Sequence, residues 1–83
     1  MPPKFAVCHN VGPLKAGDDF LWVGDAKEDC TASNCSPPLE KSQYSVPKAQ
    51  TLAARVLKDA KPGDYEYDCS CKQVHGNPKI IIQ

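Results

Sequence analysis

Five cysteines, at positions 8, 30, 35, 69 and 71, and two histidines, at 9 and 75, are the residues of this 83-residue chain best suited to chemistry. Thiolate with imidazole suits copper or zinc, and reduced copper prefers soft sulfur. Cysteine at this density in a short chain otherwise means disulfides. Five is odd, so intramolecular bridges alone leave at least one thiol over. The spacings are C-x4-C for Cys30 and Cys35 and C-x-C for Cys69 and Cys71, not the paired C-x2-C knuckles of structural zinc. A direct Cys69–Cys71 bond is disfavoured, because same-face neighbours on one strand are poorly placed for it. Taken alone, His9 reads as a solvated or hydrogen-bonded side chain and His75, beside Gly76-Asn77-Pro78, as a loop residue. Asp25, Glu28 and Asp29 could do acid–base work, but no nucleophile stands with a companion base, so they read as a solvated loop and the chain is not expected to be an enzyme.

Short elements must position these groups. Eight prolines and five glycines punctuate the chain, at Gly12-Pro13, Gly17-Asp18, Gly24-Asp25, Ser36-Pro37-Pro38, Pro47, Pro62-Gly63 and Gly76-Asn77-Pro78. Turn signals at that spacing predict an all-β sandwich or barrel. Phe5 to Cys8 and Phe20-Leu21-Trp22-Val23 read as strands. Tyr65, Tyr67, Cys69 and Cys71 alternate with Glu66, Asp68 and Ser70, which puts aromatics and thiols on one face and charge on the other. Trp22, Tyr65 and Tyr67 at strand spacing read as core. The closing Ile80-Ile81-Ile82 fits a strand covered on both sides. Residues 48–58 are ambiguous: their helix formers include the i,i+4 pair Leu52 and Val56, yet Leu52, Ala54 and Val56 also alternate with Thr51, Ala53 and Arg55. We take strand, because propensity is a weak prior against context.

Ten basic residues balance ten acidic ones, which argues against a nucleic-acid binder. No apolar run approaches a membrane span. Met1-Pro2-Pro3-Lys4 lacks a signal-peptide core, so the expectation is a cytoplasmic protein, or a periplasmic or secreted one if a leader was removed.

Four stretches in order resemble a cupredoxin. Lys15 to Val23 resembles the K-x-G-D-x-V-x-W strand of that family, and Val46-Pro47 its V-P-A-G segment. Pro62-Gly63-Asp64-Tyr65-Glu66-Tyr67-Asp68-Cys69 resembles its P-G-x-Y-x-Y-x-C strand, which ends at the copper-binding cysteine, and Lys79 to Ile82 its last strand. The likeness runs over residues 11–83. It implies one domain, 1–83, folded as an antiparallel Greek-key β-sandwich of the cupredoxin kind.

The same resemblance orders the site. Cys30 stands where the family has its first histidine, Cys69 matches the copper cysteine, and His75 follows six positions on. Met1 is the only methionine, so the loop supplies no axial ligand. Cys71 to His75 has the C-x3-H spacing seen in the binuclear copper domain of respiratory oxidases. One implied site is therefore sulfur-rich, built from Cys30, Cys69, Cys71 and His75, with copper as the candidate cofactor and copper handling or electron transfer as the role. The other implied arrangement is a Cys30–Cys69 disulfide with a second bridge, Cys35–Cys71, and Cys8 left as the thiol. Closing the 30–69 loop would stabilise by roughly 3–4 kcal/mol. The chain would then be a metal-free structural or partner-binding module.

Overall fold

The computed structural model describes residues 2–71 and 77–83, and every regular element among them is a strand. In chain order these are β1 Lys4–Ala6, β2 Val11–Leu14, β3 Asp19–Val23, β4 Cys30–Ser33, β5 Tyr44–Val46, β6 Thr51–Arg55, β7 Gly63–Glu66, β8 Asp68–Ser70 and β9 Lys79–Ile82. Strands β1-β3-β6 form one layer. Two further three-stranded sheets, β2-β9-β7 and β5-β4-β8, are joined by the nearly continuous β7–β8 run into the other. Only Tyr67 separates β7 from β8, so one run of chain carries β9 along its first half and β4 along its second.

The expected β-sandwich is present, with one refinement. Four strand pairings are antiparallel, but β1–β3 and β2–β9 are parallel. Both parallel strands come from the N-terminal segment, which reaches each layer's edge through a connection too long to be a hairpin. On β2, a Cβ at Gly12 would sit 2.5 Å from the Ile81 carbonyl oxygen, and its φ is +114°. Glycine alone permits that conformation and that approach to β9.

Within the ambiguous 48–58 segment, Thr51–Arg55 forms the strand β6. It pairs with β3 over five residues, from Asp19↔Arg55 to Val23↔Thr51. Ala54 and Val56 are buried while Thr51, Ala53 and Arg55 are exposed. Ladder hydrogen bonds and a period of two in burial outweigh the helix formers, as tertiary context commonly does.

Phe20 and Trp22 point from β3 into the core, where Trp22 packs on Phe20, Tyr44 and Tyr67 with ring centroids 5.2, 6.0 and 5.4 Å apart. Val11, Leu39, Val46, Val56, Ile80 and Ile82 complete it. Burying each such side chain is worth about 1.5–3 kcal/mol, enough to hold the layers together and so to place the cysteines. Of the isoleucines, Ile80 and Ile82 face inward and Ile81 is half-buried, so β9 is covered more fully on one side than on the other.

Candidate disulfide-bonded site

The alternation from Tyr65 to Cys71 holds in burial. Tyr67 and Cys71 are buried and Tyr65 and Cys69 half-buried, while Glu66, Asp68 and Ser70 face solvent. The run therefore carries Cys69 and Cys71 on its inner face. Strand β4 pairs antiparallel with β8, and Thr31↔Ser70 and Ala32↔Cys69 fix the register. One step further along that ladder, Cys30 stands opposite Cys71. Their Cα atoms are 4.7 Å apart and their sulfurs are bonded. That spacing is typical of a directly opposed, non-hydrogen-bonded pair.

A second disulfide joins Cys8 to Cys69, with Cα atoms 5.5 Å apart. Cys8 lies in the turn after β1, in a left-handed conformation with φ 70°. The Tyr67 hydroxyl holds this turn. It accepts the Cys8 N–H at 3.1 Å and donates to the His9 carbonyl at 2.7 Å. Burial pushes the ionisation of that hydroxyl up, so it stays protonated and able to donate. This bond ties the β1-β3-β6 layer to the other, whereas Cys30–Cys71 lies within one.

The fifth cysteine is free. Cys35 is fully buried just beyond the far end of β4, and its thiol lies 3.7 Å from the Ser33 carbonyl oxygen. Burial pushes the thiol up to about 12, and the Asp68 carboxylate adds to the shift. Asp68 also accepts a hydrogen bond from the Asn34 side chain.

These positions correct the expected pairing. Cys30 and Cys69 share the same end of the sandwich but are diagonal, not opposed, so Cys30 bonds Cys71 and Cys69 is left to Cys8. Cys35 cannot reach Cys71. Beyond Ser33, which pairs with Asp68, the chain is already running away from Cys71 along the antiparallel ladder. The leftover thiol is Cys35, not Cys8.

Of the implied metal ligands, Cys30, Cys69 and Cys71 are all in disulfides, and His75 lies outside the described residues. Among the described residues no three His, Cys, Asp or Glu side chains gather as a metal-holding group. Metal binding needs thiolate sulfur, and a disulfide sulfur carries no such charge. The cysteines as bonded here do not fit a blue-copper ion.

The acidic residues after β3 serve the local backbone. Asp25 caps the Lys27 N–H at 2.8 Å and Asp29 the Lys48 N–H at 2.9 Å. Across the β3–β6 ladder, Arg55 Nε donates to Asp19 at 2.6 Å. That bond lowers the Asp19 carboxyl below its ordinary value. Asp19, Arg55, Glu40, Lys41 and Tyr44 line one shallow groove, and Asp29, Cys30, Ser45, Val46 and Pro47 another.

Reasoning from sequence missed Cys8 as a bridging residue and Tyr67 as its clamp. The Tyr67-x-Cys69 spacing places both on one face, but nothing local to residue 8 reports which strand its turn will meet.

No protein-family model matches the chain, nor does any curated protein. A solved structure of amicyanin, the oxidised form of a point mutant, matches with a TM-score of 0.52 at 17% identity, covering 99% of this chain and 70% of that one. With its two β layers, its Tyr65–Cys71 run and this structural likeness, the chain has a cupredoxin-like β-sandwich fold.

Proposed function

We propose that this chain is a metal-free, disulfide-stabilised cupredoxin-like module that acts as a structural or partner-binding domain, not as an enzyme. One observation carries the reading. Cys69, where the resemblance puts the copper cysteine, is bonded to Cys8, while Cys30 and Cys71 close on each other. The sulfurs serve to join strands and layers instead of holding an ion. Two disulfides in so small a domain suit an oxidising compartment, so a periplasmic or secreted location belongs to the same proposal.

Non-reducing peptide mapping of native protein, with metal analysis of the same sample, tests it. The expected result is Cys8–Cys69 and Cys30–Cys71 linkages, one free thiol and no bound metal. Copper(II) added to this oxidised form should give no intense thiolate-to-copper absorption. Stoichiometric metal held through Cys69 or Cys71 would overturn the reading.

A second reading, copper handling by the reduced chain, is favoured by the nearness of the two disulfides, since Cys69 and Cys71 lie two residues apart and each is bonded to its own partner, Cys8 and Cys30. Soft thiols so placed match the preference of reduced copper. Copper(I) titration of the fully reduced protein with a competing chelator, repeated on Cys69→Ser, separates the two. Tight binding lost in that variant supports this second reading.

A further inference from the structure

The two disulfides differ in access. Cys30 and Cys71 are 1% and 7% exposed, and their bond lies on the inner face of one sheet. Cys8 is 8% exposed, but Cys69 is only half-buried and packs against the rim of the core. Thiol–disulfide exchange needs a thiolate to reach a sulfur in line with the bond, so access decides which sulfur is attacked. Cys69 is the most accessible of the four bonded cysteines.

The backbone adds an independent asymmetry. Cys8 holds φ 70°, a left-handed region that strains a residue with a Cβ and persists only where its surroundings enforce it. Its surroundings are the bond to Cys69 and the Tyr67 hydroxyl. When the bond opens, the Cys8 turn can relax and β1, a three-residue strand that pairs with β3 alone among the described residues, loses its covalent tie to the other layer. The other disulfide has no such release, because Cys30 and Cys71 continue a regular ladder.

We propose that Cys69 is a site of reversible S-thiolation by small soluble monothiols. A thiolate attacks Cys69 Sγ and forms a mixed disulfide there. The Cys8–Cys69 bond breaks, and the electron pair leaves on Cys8 Sγ, which takes a proton from solvent. One S–S bond replaces another, so no net oxidant or reductant is required. The reverse step, attack by the Cys8 thiolate on the mixed disulfide, expels the monothiol and restores the clamp. Cys30–Cys71 stays closed throughout, so the sandwich persists while its N-terminal strand is freed.

Native oxidised protein incubated anaerobically with reduced glutathione, then quenched with an alkylating agent at intervals and mapped by mass, tests this. Cys35 serves as an internal clock, since a fully buried thiol is labelled only on global opening. The expected result is glutathione on Cys69 with alkylated Cys8, appearing at least about tenfold faster than opening of Cys30–Cys71 or labelling of Cys35. Hydrogen exchange of residues 4–6 should quicken in the adduct while that of residues 30–33 does not. An adduct on Cys8, equal opening of both bonds, or exchange no faster than Cys35 labelling would overturn the proposal.

Discussion

Cys30 and Cys71 face each other across the β4–β8 ladder with Cα atoms 4.7 Å apart, and their bond closes a loop with a sequence separation of 41. A loop of that length makes the bond worth about 2–5 kcal/mol. Cys30→Ala and Cys71→Ala should each cost that much, and the double variant little more than either, because the bond is lost once. Denaturant unfolding without reductant measures all three. Fully additive losses would show that the two residues act separately.

Tyr67 makes a prediction about the other disulfide. Tyr67→Phe keeps the ring against Trp22 but removes the partner of the Cys8 N–H. Leaving that amide unpaired should cost about 1–3 kcal/mol and speed hydrogen exchange at Cys8. Unchanged stability and exchange would mean that water replaces the hydroxyl at no cost.

The buried thiol predicts a pH dependence. Cys35 is raised to about 12 in the folded chain, while an unfolded cysteine ionises at about pH 8.5. Below the unfolded value the contribution is fully present and constant. Between the two values the unfolded chain has lost a proton that the folded chain keeps, so stability falls as pH rises. Tyr44 and Tyr67, both raised by burial, push in the same direction at higher pH. Cys35→Ala should flatten the decline above about pH 8.5, read from urea midpoints across that window. An identical slope in the variant would refute burial of the thiol.

Trp22 Nε1 is buried and has no hydrogen-bond partner among the described residues. Trp22→Ala should cost about 3–5 kcal/mol through the cavity it leaves. Trp22→Phe should cost clearly less than Trp22→Ala, because the phenyl ring fills most of the space that alanine leaves empty, and neither change leaves a polar partner of the indole N–H unpaired. Equal costs for the two variants would show that the volume lost at this site does not decide the penalty.

Much of the fold could be read along the chain. The strands around Trp22, Tyr65 and Ile80 carry their own signals in alternation, β-rich composition and flanking Gly-Asp or Pro-Gly turns. Residues 51–55 were legible only as a choice between two periods, which pairing with β3 resolved. Strand β4, Cys30–Ser33, has no such signal: Thr, Ala and Ser sit between two cysteines, and it is a strand because β5 and β8 supply its hydrogen bonds.

Sequence by itself determined that the chain is β-rich, that Cys69 and Cys71 share a face with Tyr67, and that an odd number of thiols leaves one unpaired. Those are properties of neighbours along the chain, set by a period of two and by counting. Only the tertiary structure decided the partners. A shift of two residues along the β4–β8 ladder exchanges Cys69 for Cys71 as the mate of Cys30, and no local residue encodes that shift. The parallel placement of β1 beside β3 then brings Cys8 to Cys69 across 61 residues of sequence. Register and the approach of two layers are long-range quantities, fixed by how Phe20, Trp22 and Tyr67 pack together and not by the residues flanking any cysteine.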